Sequence, residues 1–130
     1  MTKNLPRLAV LDDEVQMRKA LSRLLRAHGF EVETFGIGEH LLEALAAECP
    51  DCLVLDLHMP GMTGFDILEA FRKKQIKLPV IVITGHDEPQ NAGRVRDLGA
   101  VAYLTKPLDE SCLLEAIAQA TGPQTSRLQE

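Results

Sequence analysis

A chain of 130 residues has room for one domain with a proper core and too little for two. Its apolar fraction of 45% and charged fraction of 25% are those of an ordinary soluble globular protein, and with no Trp and one Tyr the core must be aliphatic. The net charge of −5 argues against direct nucleic-acid binding, which needs Lys and Arg to neutralise phosphates, and no apolar run approaches the roughly 20 residues of a membrane span.

The first residues, Met1 to Arg7, contain no signal-peptide apolar region, so the expected location is cytoplasmic. Arg7 to Leu11 reads as a short apolar strand ending in Asp12-Asp13. Met17, Leu21, Leu24 and Leu25 recur at helical spacing, and Gly29 stops that helix. Glu31 to Phe35 alternates, as a half-buried second strand does. Leu41, Leu42 and Leu45 mark a second helix closed by Pro50, and Cys52 to Asp56 is the third strand. Thr63 is placed to cap a third helix, with Asp66 in capping-box position and Phe65, Leu68 and Phe71 on one face. Pro79 to Thr84 is the fourth strand and the most β-branched. A polar segment from Asp87 to Leu98 follows, with Pro89 near its start, Gly93 inside, and Ala92, Val95 and Leu98 as its apolar stripe. Val101 to Thr105 is the fifth strand. Asp109 caps a last helix carrying Leu113, Leu114 and Ile117, which Gly122-Pro123 ends. The expected organisation is one domain over residues 1–121, with residues 122–130 a polar tail or the start of a linker.

Strand and helix alternate through the chain, and the strands are continuous apolar runs. That pattern predicts an α/β fold, a doubly wound parallel sheet with helices on both faces. Gly36-x-Gly38 is no dinucleotide fingerprint, because it follows the second strand and lacks the third glycine. Three cysteines make no disulfide framework. Cys49-Pro-Asp-Cys52 does spell C-x-x-C, but a redox motif sits after a strand at a helix start, and here the order is reversed. Cys52 then reads as a small buried hydrophobe. His28, His40, His58 and His86 are scattered and offer no zinc spacing.

Chemistry gathers where the apolar strands end. The first ends in Asp12-Asp13, the third in Asp56, the fourth in Thr84 and the fifth in Thr105-Lys106-Pro107. The second has no such ending, as suits an edge strand away from a site. In a parallel sheet these ends share one edge, and ligands bind outside it where strand order reverses. Three carboxylates gathered there repel one another, by roughly 4 kcal/mol per pair at ~4 Å and an effective dielectric near 20. They call for a cation, and all-oxygen ligands suit Mg²⁺ or Mn²⁺. A carboxylate can also serve as a nucleophile toward phosphorus, with Lys106 and Thr84 meeting the phosphoryl oxygens. Each residue alone has an ordinary explanation, as a cap, a strand end or a solvated charge. Four strand ends carrying the set together do not.

The runs Val-Leu-Asp12-Asp13-Glu14, Leu-Asp56-Leu-His-Met-Pro60-Gly-Met-Thr-Gly64, Ile-Thr84-Gly85 and Leu-Thr-Lys106-Pro107 resemble the receiver domain of bacterial two-component response regulators. The resemblance covers roughly Leu5 to Ala120. It implies a CheY-like, flavodoxin-like sheet of strand order 2-1-3-4-5. It implies Asp56 as phosphoacceptor, Asp13 as direct metal ligand, Asp12 as ligand through water, and the His58 backbone carbonyl completing the protein ligands. Thr84 and Tyr103 match the family's switch pair, and Lys106 its phosphate-binding lysine. The implied donor is a sensor histidine kinase. The implied output surface, which could pair two copies, is the face made by the fourth helix, fifth strand and last helix. The protein would catalyse its own phosphorylation and slow dephosphorylation without being a turnover enzyme.

The stretch "LPVIVITGHDEP" further resembles the nitrogen-fixation-regulator type, usually joined to a LuxR-type DNA-binding output domain. It departs from that type in Gln90-Asn-Ala-Gly93-Arg, which is polar where the subfamily is more apolar. With no output domain in the sequence, a stand-alone receiver acting as relay or interaction module is the alternative. An aspartate-dependent phosphatase of the haloacid dehalogenase type would need a second Asp where His58 stands. A flavodoxin-type flavin module would need a Ser/Thr-rich loop where Asp12-Asp13-Glu14 would repel phosphate.

Overall fold

The structure, a computed structural model, describes residues 5–122. Strands β1 (Arg7–Leu11), β2 (Glu31–Phe35), β3 (Cys52–Asp56), β4 (Val80–Thr84) and β5 (Ala102–Thr105) alternate with helices α1 (Val15–Ala27), α2 (Gly38–Ala47), α3 (Gly64–Lys74), α4 (Asn91–Asp97) and α5 (Glu110–Thr121). All neighbouring strands pair parallel, in the order β2-β1-β3-β4-β5 expected from the sequence. Strand order therefore reverses between β1 and β3, and β2 lies at an edge.

Pleating divides the core. Leu8, Val10, Val54, Ile81 and Ile83 point to one face, against Leu21 and Leu25 of α1 and Leu113 and Ile117 of α5. Ala9, Leu11, Leu53, Leu55, Val80 and Val82 point to the other, against Leu41 of α2, Ile67, Leu68 and Phe71 of α3, and Val95 of α4. β3 and β4 are buried at every position because helices cover both their faces. β2 keeps the alternation of a half-exposed edge.

The differences from expectation are local. β4 starts at Val80 rather than Pro79, which has no N–H to give a ladder. β5 starts at Ala102, leaving Val101 58% exposed. The buried face of α3 is centred on Ile67, Leu68 and Phe71, with Phe65 only partly buried at its margin. The polar segment from Asp87 forms only a seven-residue helix, and no side chain caps it. Val95 and Leu98 do turn inward, but Ala92 is only partly buried and lies outside both core clusters, and the buried Asn91 joins the inner side. The expected tail from Pro123 onward lies outside the described residues.

Candidate functional site

Backbone ladders run one step past the strands and set the site. The Asp12 N–H donates to the Phe35 carbonyl at 3.0 Å, Leu57 N–H to Ile83 at 2.9 Å, and Lys106 N–H to Thr84 at 2.8 Å. The loop after β3 then folds back so that the Gly64 N–H at the start of α3 donates to the Leu57 carbonyl at 2.9 Å. Gly61 adopts φ +76°, a region that favours glycine. At Gly64 a Cβ would lie 2.8 Å from both the Asp56 carbonyl oxygen and the Leu57 Cα, so only glycine lets α3 start this close to the strand end. Thr63 and Asp66 close the expected capping box: Thr63 Oγ1 accepts the Asp66 N–H at 3.3 Å and Asp66 Oδ2 accepts the Thr63 N–H at 2.9 Å. The run Val54 to Gly64 is thus a strand, a carboxylate and a loop that brings the start of α3 back against the strand end.

Asp12, Asp13 and Asp56 converge, each with a carboxylate oxygen within 4.8 Å of the others. Asp12 and Asp56 are buried, and Asp13 is exposed. Lys106 Nζ lies 3.2 Å from Asp12 Oδ2 and 3.8 Å from Asp56 Oδ1. The other Asp12 oxygen accepts the Glu14 N–H at 2.9 Å, which fixes the loop ahead of α1. Burial lifts the Asp56 carboxyl from 3.8 to about 7; the charge of Asp12 adds to the rise, while Lys106 and the His58 N–H oppose it. One ammonium against three carboxylates leaves the cluster negative. Hard oxygen donors, excess negative charge and a solvent-facing third ligand fit a hard divalent cation.

Thr84 is fully buried at the end of β4. Its Oγ1 donates to the His86 carbonyl at 3.1 Å and accepts the His86 N–H at 3.0 Å, closing a tight turn. The rings of His58 and His86, both exposed, meet edge to face with centroids 5.3 Å apart. Tyr103 is not part of this cluster. Its hydroxyl donates to Asp87 Oδ1 at 2.9 Å, beside the β4–α4 loop.

A family model described as the response regulator receiver domain matches residues 8–118. The chain belongs to the response regulator receiver family. Nodulation protein W of Bradyrhizobium diazoefficiens is 37% identical to this receiver over 112 residues, 86% of this chain and 49% of that protein. Transcriptional regulatory protein FixJ of the same organism is 35% identical over 111 residues, 85% of this chain and 54% of that protein. The FixJ match agrees with the nitrogen-fixation-regulator pattern of Leu78 to Pro89. A receiver domain protein of Clostridium thermocellum has a solved structure that matches with TM-score 0.86 at 32% identity, covering 93% of this chain and 98% of that one. The receiver spans about half the length of the two curated relatives named. Among the described residues no helix is long and apolar enough to cross a membrane.

Two residues of the receiver site escaped the sequence reading. Arg18 of α1 donates from Nη1 to the Asp12 carbonyl at 2.7 Å, pinning the acid loop from outside. Gly36 makes room for it, since a Cβ there would stand 2.6 Å from that Nη1. This gives Gly36-x-Gly38 a packing role at its first position. The second is Asn91, buried at 4% exposure with Nδ2 donating to the His86 carbonyl at 3.3 Å. The C-x-x-C reading fails on chemistry: burial raises the Cys52 thiol to about 12 and the exposed Cys49 thiol is raised too, opposite to a redox thiol.

Proposed function

We propose that this receiver, acting in the cytoplasm, accepts a phosphoryl group on Asp56 from a sensor histidine kinase and uses it to move α4 and β5. The observation that carries the reading is Lys106, whose ammonium stands 3.2 Å from Asp12 and 3.8 Å from Asp56 and so ties three strand ends into one charged site. In the transfer an Asp56 carboxylate oxygen bonds to phosphorus as the phosphorus–nitrogen bond of the donor phosphohistidine breaks. Asp13 directly, Asp12 through water, Asp56 and the His58 backbone carbonyl would hold Mg²⁺ or Mn²⁺. When bound, that ion offsets negative charge on the phosphoryl oxygens. Lys106 leaves its carboxylate partners to pair with a phosphoryl oxygen. The same residues support slow hydrolysis of the acyl phosphate by water.

Thr84 has one hydroxyl hydrogen, so donating it to the phosphoryl group means giving up the His86 carbonyl. Thr84 moves inward, and Tyr103 turns toward the space behind it. The face of α4, β5 and α5 then changes shape and recruits a partner, a second copy included. The receiver module is taken as residues 1–121, with residues 122–130 leading to a LuxR-type DNA-binding output that would control transcription.

Incubation with acetyl phosphate and Mg²⁺ followed by intact-mass analysis tests the acceptor. The wild type should gain one phosphoryl group, and Asp56→Asn and Asp56→Ala none, because neither an amide nor a methyl forms the acyl phosphate. An undiminished adduct on either variant would sink the assignment.

A further inference from the structure

Thr84 and Asn91 share one acceptor. Thr84 Oγ1 donates to the His86 carbonyl at 3.1 Å, and Asn91 Nδ2 donates to the same oxygen at 3.3 Å. Asn91 is the first residue of α4, is 4% exposed, and turns its side chain inward rather than capping the helix. The Tyr103 hydroxyl donates to Asp87 in the same loop. A single buried carboxamide therefore joins the carbonyl that holds Thr84 to the helix that follows, and Asp87 ties the same loop to the ring on β5.

We infer that Asn91 is the positioning residue that passes a displacement of Thr84 on to α4 and Tyr103. The inference rests on the phosphoryl-driven relay set out above. When Thr84 releases the His86 carbonyl, Asn91 remains as its side-chain tether. An unpaired amide is costly in so buried a place, so Asn91 follows the carbonyl as the loop from Gly85 to Gln90 shifts. As the first residue of α4, it takes that end of the helix with it. Asp87 travels in the same loop, so the Tyr103 hydroxyl loses its partner and its ring is released. The polar run Gln90-Asn91-Ala92-Gly93-Arg94 thereby acquires a purpose at Asn91. An apolar side chain there would fill the space but leave loop and helix free to move apart.

Tyr103 is the only tyrosine and the chain has no tryptophan, so intrinsic emission reports this ring alone. Wild type, Asn91→Leu, Asn91→Asp and Thr84→Val would be titrated with beryllofluoride and Mg²⁺ while tyrosine emission is followed. Each would also be phosphorylated with acetyl phosphate and its intact mass measured. Asn91→Asp keeps the side-chain size and removes the Nδ2 donor, so a folding defect in Asn91→Leu does not decide the matter. Both Asn91 variants should take up the phosphoryl group to the wild-type extent and lose most of the emission change. A merely structural Asn91 would lower the denaturation midpoint and leave the emission change whole, so a wild-type-sized change in Asn91→Asp overturns the inference. If Thr84→Val abolishes the change and both Asn91 variants keep it, the relay stands and Asn91 is no part of it. A wild type with no emission change removes the relay itself, and this inference with it.

Discussion

As the proposed phosphoacceptor, Asp56 must satisfy two opposed demands, burial at 3% exposure and the negative charge of a nucleophile. Burial first, and Asp12 second, lift its carboxyl from 3.8 to about 7. Without metal the native state therefore keeps a proton that the unfolded chain has lost, across the window from about 4 to about 7. Where the native state binds more protons, stability falls as pH rises, so this group's cost is absent below about 4 and complete above about 7. At 1.36 kcal/mol per unit the cost is of the order of 4 kcal/mol. In EDTA, then, Asp56→Asn should exceed the wild type in urea midpoint at neutral pH, with the gap closing toward pH 4. Asp13→Asn should gain less, because Asp13 is exposed and adds least to the rise. Saturating Mg²⁺ should shrink or reverse both gains, since a ligand is lost from a site whose occupancy stabilises the native state. A gap that stays constant from acid to neutral pH in EDTA would show that burial does not disturb Asp56. Asp12, Asp13, Asp56, Thr84 and Lys106 were legible in the sequence because each is a polar residue set against an apolar strand. Arg18 and Asn91 were not, because each binds a loop carbonyl, and no side-chain type records which carbonyl it will meet.

Among the elements, α3 and α4 stand at opposite ends of a scale of definition. α3 has a capping box, a basic last turn and three large buried side chains; its cap could be read from spacing alone, and its core face in Leu68 and Phe71 but not in Ile67. α4 has seven residues, no side-chain cap and Gly93 in its interior. Its anchors are Val95 in the core, the Arg94 guanidinium 3.8 Å from the Phe65 ring centroid, and Asn91. Periodicity over so short a polar segment cannot locate its ends, which is why the sequence suggested a longer element. Two glycine substitutions separate packing from propensity. A Cβ at Gly93 meets only the Arg96 guanidinium at 3.8 Å, so Gly93→Ala should raise stability by about 0.5–1 kcal/mol and slow amide exchange within α4. At Gly64 the same methyl would press on β3 backbone at 2.8 Å, so Gly64→Ala should cost about 1–3 kcal/mol and slow phosphorylation by displacing Asp56. Denaturation midpoints of the two variants decide the point, and equal shifts would mean that backbone proximity to Asp56 is irrelevant.

For the molecule as a whole, the sheet is a partition. α2, α3, α4 and Tyr103 belong to one apolar cluster, and α1 and α5 to the other. Strand alternation and the list of strand endings were enough to read the doubly wound sheet and its ligand edge, because both depend on backbone geometry common to parallel sheets. Of the route by which a change at that edge would travel outward, the family resemblance supplied the two ends, Thr84 and Tyr103; the bonds between them were not readable, because they depend on side chains that cross between elements. The bonds from Thr84 through the His86 carbonyl to Asn91, and from Tyr103 to Asp87, all lie at the α4 and β5 end of the sheet. α4 is also the element with least to hold it, so its opening free energy should be the lowest of the helices. A phosphoryl group can shift it only by making different contacts in two arrangements, and in the proposed relay Thr84 supplies that difference. Beryllofluoride with Mg²⁺ should therefore change amide exchange most between Asp87 and Tyr103, and leave α1 and α2 close to their resting protection. Thr84→Val should bind the same mimic at Asp56 and lose the distant response. Exchange changes confined in the wild type to the loops around Asp13, Asp56 and Lys106 would mean that the site closes on its ligand without informing the rest of the molecule.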